Sequence, residues 1–154
     1  MTKLILMVGL PCSGKTTKAK QLEKEYDLIR FTPDEWQIRL FGQDAEDAEH
    51  DHRHSKIEQI MLELAYKLLK KGVSVLLDFG FWAIEERTYL KNKAEELGVG
   101  FAICYCECSQ DKLIERVQER NKDSENQHFV IPFDMLNRYF TVFEPPTESE
   151  GEFM

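Results

Sequence analysis

Residues 9–16 of this 154-residue chain read Gly-Leu-Pro-Cys-Ser-Gly-Lys-Thr, which fits the pattern G-x-x-x-x-G-K-[ST]. A loop of this kind binds a polyphosphate mainly with its backbone. Gly9 and Gly14 accept backbone angles that side chains resist, so the loop can wrap closely round an anion. Pro11, Cys12 and Ser13 form the turn between them, and the backbone N–H groups and the start of the following helix point at the phosphates. The side chain of Cys12 needs no role there. Lys15 reaches the β- and γ-phosphates, the Thr16 hydroxyl can ligate Mg²⁺, and Thr17 completes the binding segment.

Two carboxylates extend this chemistry. Asp78 closes the apolar run Val73-Ser74-Val75-Leu76-Leu77, at the carboxyl end of a strand, where open α/β sheets place their ligands. Contact with Mg²⁺ or with an acceptor suits it, so Thr16 and Asp78 are the candidate metal residues. Asp34 follows a second strand in Arg30-Phe31-Thr32-Pro33-Asp34-Glu35-Trp36 and is expected to face the γ-phosphate from the same edge. A carboxylate there can take the proton of an attacking hydroxyl, and Glu35 competes for that role. Arg116 and Arg120 lie four apart on one helix face. They can neutralise charge that develops during phosphoryl transfer, or pair with Glu115 and Glu119.

Other reactive side chains admit plainer readings. His50, His52 and His54 alternate beside a helix start and read as a solvated or acceptor-contacting segment rather than a metal site. Cys104, Cys106 and Cys108 alternate on a strand, so their sulfurs share one face. Their spacing is too short for a structural zinc site, and small thiols packed under a helix are expected. The aromatic trio Phe79, Phe81 and Trp82 either walls an acceptor pocket or covers core.

The elements that must position these groups alternate strand and helix, the pattern of an α/β protein with a parallel sheet. Strands are expected at Leu4–Val8, Leu28–Phe31, Val73–Leu77 and Gly100–Cys106. Helices are expected from Lys15, from Pro33 to about Leu40, from about Ile84 to Leu97, after a cap at Ser109, and from Pro132 to about Phe143. A further long helix buries Ile57, Ile60, Met61, Leu64 and Leu68 on one face. The acidic run at 43–51 reads as solvated and mobile, residues 121–130 as a loop, and Thr147–Met154 as a loose acidic tail. One domain over 1–146, with a lid at about 121–131, is the expected organisation.

Charge narrows the partners. Lys and Arg number 20 against 28 Asp and Glu, a net charge of −8 that repels long polyanions and anionic membrane faces. The longest apolar run, Leu4–Leu10, is far short of the ~20 residues of a membrane span. With no signal-peptide or lipidation pattern, a cytoplasmic protein with reduced thiols is expected, a monomer or weak homo-oligomer.

The segment Gly-Leu-Pro-x-Ser-Gly-Lys-Thr-Thr at 9–17 resembles the small, AAA-type P-loop kinases. So do the Asp34 segment, the strand ending at Asp78, Arg116-x-x-x-Arg120-Asn121 and Phe143-Glu144-Pro145-Pro146. The group in view contains the kinase domain of polynucleotide kinase, chloramphenicol phosphotransferase and the zeta toxins. The resemblance implies a three-layer P-loop NTPase fold with a parallel sheet of order 2-3-1-4, with or without a fifth edge strand, and helices on both faces. It implies γ-phosphoryl transfer from ATP with Mg²⁺, Lys15 and Thr16 on the triphosphate, Asp34 as general base, and Arg120 with Arg116 in the lid. The polynucleotide kinase pattern has an arginine three positions after its base; here that position is Gln37, and the nearest arginine is Arg39. The expected activity is therefore transfer of phosphate from ATP to a hydroxyl of a small molecule. A nucleoside, nucleotide or polynucleotide kinase, and a non-kinase ATPase or switch, are the alternatives.

Overall fold

A strand can be apolar throughout only where both its faces are covered. The first strand meets that condition in the computed structural model, which describes residues 1–122 and 129–154. In chain order the main elements are β1 (Lys3–Val8), α1 (Lys15–Tyr26), β2 (Ile29–Phe31), α2 (Pro33–Phe41), α3 (His50–Lys70) and β3 (Val75–Gly80). They continue with α4 (Ile84–Glu96), β4 (Gly100–Tyr105), α5 (Gln110–Lys122), α6 (Leu136–Val142) and β5 (Glu152–Phe153). The sheet has the order β2-β3-β1-β4-β5 with every pairing parallel. The order 2-3-1-4 is thus present, with the fifth edge strand.

Alternation along the central strands divides the core. Leu4, Leu6 and Val8 of β1 join Val75 and Leu77 of β3 against Ile57 and Met61 of α3 and Leu90 and Ala94 of α4. Ile5 and Met7 turn the other way, with Leu76 and Cys104, against Ala19 and Leu22 of α1. Each such apolar side chain, fully buried, contributes about 1.5–3 kcal/mol relative to exposure. The layers thereby fix the carboxyl edge of the sheet, where β1 runs into the glycine-rich loop and β2 into α2.

Several local expectations are corrected. The inward stripe of α3 is Ile57, Met61, Ala65 and Leu69, while Ile60 and Leu64 face outward, 50% and 37% exposed. The small, fully buried Ala65 lets helix and sheet approach closely. Helix α3 begins at His50, so the three histidines are helical, and β3 runs from Val75 through Asp78 to Gly80. Asp44, in the supposedly solvated acidic run, is buried, because the buried Gln37 amide and Arg53 satisfy its carboxylate. The thiols do not share one face: Cys104 and Cys106 pack on the α1 side, but β4 ends at Tyr105 and Cys108 joins Leu113 and Leu136.

The final helix is a short 3-10 turn at Phe133–Met135 followed by α6. Far from being loose, the last residues add β5 to β4, pairing Ala102 with Glu152 and Ile103 with Phe153. Of the lid expected at about 121–131, residues 123–128 lie outside the described residues. Asn121 ties its two sides: its amide nitrogen donates to the Ile131 carbonyl at 2.7 Å, and its amide oxygen accepts from the Ile131 N–H at 3.0 Å. Among the described residues no helix is long and apolar enough to cross a membrane.

Candidate functional site

The loop that leaves β1 keeps its shape through three unusual backbones. A Cβ on Gly9 would stand 2.7 Å from the Ser13 hydroxyl and 2.9 Å from the Cys106 carbonyl, so no larger residue fits. Gly14 has φ 95° and Cys12 φ 63°. For a non-glycine residue the left-handed conformation of Cys12 costs about 1–2 kcal/mol, strain of the kind held at functional loops. Helix α1 starts directly after Gly14 with no side-chain cap among the described residues and no acid in its first turn. Its first amides are left for an anion.

The loop opens onto a cleft of about 900 Å³, which Asp34, His54, Asp78, Arg116 and Arg120 also line. The Lys15 ammonium donates to the Leu10 carbonyl at 3.3 Å. The Thr16 hydroxyl donates to Asp78 Oδ2 at 2.7 Å, and the Thr32 hydroxyl donates to the same oxygen at 3.0 Å. Asp78 Oδ1 is buried with no partner among the described residues. Arg30, braced by Glu23 at 3.0 Å and Glu35 at 3.1 Å, donates in turn to Thr32. Both arginines of α5 reach the loop: Arg116 donates to the Cys12 carbonyl at 3.3 Å, and Arg120 to the Cys12 sulfur at 3.1 Å. The Cys12 thiol, expected to be idle, is therefore a contact point for Arg120.

Asp34, in the first turn of α2, faces this loop from across the cleft. Loss of hydration raises its pKa, against the pull of His54, Lys15 and Arg120, while Asp78 raises it further. Glu35 also lines the cleft, but its carboxylate is engaged in ion pairs with Arg30 at 3.1 Å and Lys20 at 3.4 Å. His54 stands between two carboxylates, with Nδ1 3.8 Å from Asp34 and Nε2 3.2 Å from Glu58. Burial alone would lower its pKa, but the hydrogen bond to Glu58 and the charges of Glu58, Asp34 and Asp51 outweigh that and raise it.

Behind His54 the wholly buried Gln37 joins the acidic loop to α3. Its amide nitrogen donates to Asp44 at 3.2 Å and to the His50 carbonyl at 3.1 Å, and its oxygen lies 2.8 Å from His54 Nδ1. His50 Nδ1 is 2.8 Å from Asp44, and His52 is exposed. Thr32 and this Gln37 network were not foreseen. The Thr32 signal was present, a hydroxyl one residue after β2 at the same edge as Asp34. The Gln37 network depends on loop 43–49 folding back, which no local pattern records.

Trp82 completes the site by donating its indole N–H to the Gly9 carbonyl at 3.2 Å. Among the described residues no cluster of three or more His, Cys, Asp or Glu is placed to hold a metal by itself. The Thr16 hydroxyl and the bare Asp78 oxygen nonetheless form a hard-oxygen pair at the edge of the phosphate cleft, which fits a magnesium ion completed by phosphate oxygens.

Residues 4–146 match the family model AAA_33, described as an AAA domain. No curated protein matches the chain. Among solved structures, a presumed kinase from Chloroflexus aurantiacus is 18% identical, with 99% of this chain and 86% of that one covered at a TM-score of 0.76. A chain of the Pnkp1/Rnl/Hen1 RNA repair complex is 20% identical at a TM-score of 0.74; 91% of this chain corresponds to 43% of that one, less than half its length. Chaetomium thermophilum Kti12, solved in complex with ADP-AlF3, is 20% identical, with coverage of 98% and 88% and a TM-score of 0.65. At such identities these likenesses establish a shared fold.

Proposed function

The chain belongs to the AAA_33 family of AAA domains, a P-loop kinase-like fold, and from that premise we propose that it binds ATP with Mg²⁺ and phosphorylates a hydroxyl of a small molecule. One observation carries the reading: an open phosphate loop and the Asp34 carboxylate face each other across a single cleft.

The first amides of α1 and the Lys15 ammonium hold the triphosphate. Thr16 and Asp78 would hold magnesium, which would supply neutralisation of charge on the phosphoryl oxygens. The acceptor oxygen forms a bond to the γ-phosphorus, and the bond from that phosphorus to the β–γ bridging oxygen breaks with ADP as the leaving group. The acceptor proton passes to Asp34. A carboxylate with a raised pKa is the better proton acceptor, as Asp34's surroundings provide. Arg116 and Arg120, already at the loop, lie where charge accumulates during transfer.

Gln37 favours a small acceptor over a polynucleotide. It occupies the position where the polynucleotide kinase pattern carries an arginine, and its side chain is buried against Asp44 and His50 rather than offered to a phosphate. The test follows the terminal phosphate of γ-labelled ATP across alcohols, nucleosides and 5′-hydroxyl oligonucleotides. Label appearing on one small alcohol is the expected result. Label on the oligonucleotide marks a polynucleotide kinase, and label released only as phosphate at one slow rate marks a nucleotide-dependent switch.

A further inference from the structure

Beside the transfer cleft lies a second cavity, about 440 Å³. Phe79 and Trp82 line both spaces, so the two adjoin. The wall is aromatic: Phe79 and Phe81 stack with ring centroids 5.2 Å apart and an interplanar angle of 17°, and Tyr89 stands on the α4 side. Three carboxylates, Glu58, Glu85 and Glu86, line the same space, with no lysine, arginine or histidine among the described lining residues.

We infer that this cavity seats the acceptor, and that the acceptor is a cationic amino alcohol with an apolar or aromatic body. The inference rests on the transfer reading above and gives its substrate class. A half-enclosed space with aromatic faces and three acids attracts a cation through ring quadrupole and charge together. It repels a phosphate or an acidic sugar by the same terms. A hydrocarbon body gains by covering Phe79 and Phe81. Phe79 packs on the α3–α4 side of the sheet while Asp78 bonds Thr16 of α1, so a ligand seated there would turn its hydroxyl round the carboxyl edge of the sheet, where Trp82 lines both spaces. Glu58 is also tied to the candidate base through His54, at 3.2 Å and 3.8 Å.

The wall is held from behind. Arg87, 1% exposed, donates to the Phe81 carbonyl at 2.8 Å and to both oxygens of Glu150, at 2.6 Å and 3.2 Å. A plainer role for two of the acids is stabilisation of the first turn of α4, where Glu86 also accepts from the Ala83 N–H at 3.4 Å. The experiment separates the two.

The intact protein is titrated with 2-amino-1-phenylethanol, 1-phenyl-1,2-ethanediol and mandelate, which share a body and differ in charge. Binding is followed by the NMR signal of the Trp82 indole N–H, assigned with Trp36→Phe. The amine is expected to bind about tenfold more tightly than the diol, and mandelate more weakly than either. Added salt should narrow the gap. In Glu85→Gln/Glu86→Gln the gap should close, although the folded protein still binds the diol. Equal affinities for the three, an unmoved Trp82 signal with all of them, or a gap that survives the double substitution overturns the inference. ATP is titrated in parallel. ATP binding without the charge preference refutes the acceptor class alone, whereas the preference without ATP binding refutes the transfer reading and leaves a cation-binding cavity.

Discussion

The two walls of the cleft are built on opposite plans. The donor wall is one short stretch of chain, residues 9–17, whose binding groups are mostly backbone amides, reinforced by Lys15 and by Arg116 and Arg120 from α5. The proposed acceptor wall is assembled from α2, α3, β3 and α4, and its groups are side chains: Asp34, His54, Phe79 and Trp82 on the cleft, with Glu58 and Glu85 on the adjoining cavity. One wall is cationic and the other acidic and aromatic. On the proposed reading, the segregation would let a protein with net charge −8 accept a polyanionic donor without inviting a polyanionic acceptor. It also separates two kinds of fragility. The donor wall fails by losing a local group, and the acceptor wall by losing a long-range contact.

The largest expected effect breaks the donor wall. Lys15→Ala should lower phosphoryl transfer on the order of 10³-fold, with weakened ATP binding. Thermal stability should barely change, since among the described residues the hydrogen bond of the Lys15 ammonium goes to the Leu10 carbonyl. Calorimetric ATP titration beside a melting curve checks both. An unchanged ATP affinity would remove the donor wall from the comparison.

Asp34→Asn tests the opposite wall and should lower transfer on the order of 10²-fold with ATP affinity retained. It carries a second signature. The folded pKa of Asp34 is raised above 3.8, so its contribution to stability is present below that value and is lost as pH rises through the folded value. With 42% of the Asp34 side chain exposed, solvent screens most of that penalty at neutral pH, and asparagine should change the melting temperature little while abolishing most of the activity. Glu35→Gln should do the reverse, with little effect on turnover and a lower melting temperature through the ion pairs to Arg30 and Lys20.

A fourth substitution tests the long-range dependence of the acceptor wall. Arg87 and Glu150 form a buried pair between α4 and the turn before β5. Glu150→Ala leaves an uncompensated guanidinium and should cost about 3–5 kcal/mol of stability in denaturant unfolding. Signals from Phe81 and Trp82 should shift in the folded remainder, and those from residues 9–17 should not.

These contrasts explain what could be read from the chain. The phosphate loop was legible because its function lies in consecutive residues with fixed backbone demands, and the strand order followed from the likeness that this loop carries. Asp34 and Asp78 were legible as acids at strand ends, and the structure brings both to the cleft. What sets Glu35 apart from Asp34 is its ion pair with Arg30 on the adjacent strand. On α3 angle decides burial over size, so the large Ile60 and Leu64 face outward and Ala65 and Leu69 hold the inward positions. Asp44 and Glu150 looked like solvated acids. Their partners, Gln37 and Arg87, lie far along the chain or across a turn, and a buried carboxylate is recognised only by the group that satisfies it.

The smallest expected effect concerns the junction at His54. Its imidazole faces Asp34 and Glu58, feels Asp51 one turn earlier on α3, and meets the neutral oxygen of Gln37. These acids raise its pKa above 6.5 despite burial. The stability it contributes is thus fully present below 6.5 and declines as pH rises through the folded value. Melting temperatures of the parent and of His54→Gln, compared from pH 5.5 to 9, should differ most at the acid end and converge toward the alkaline end. A constant difference would make His54 a packing residue. Convergence, with ATP affinity unchanged throughout, would show that the positive charge between the two carboxylates serves the acceptor wall alone.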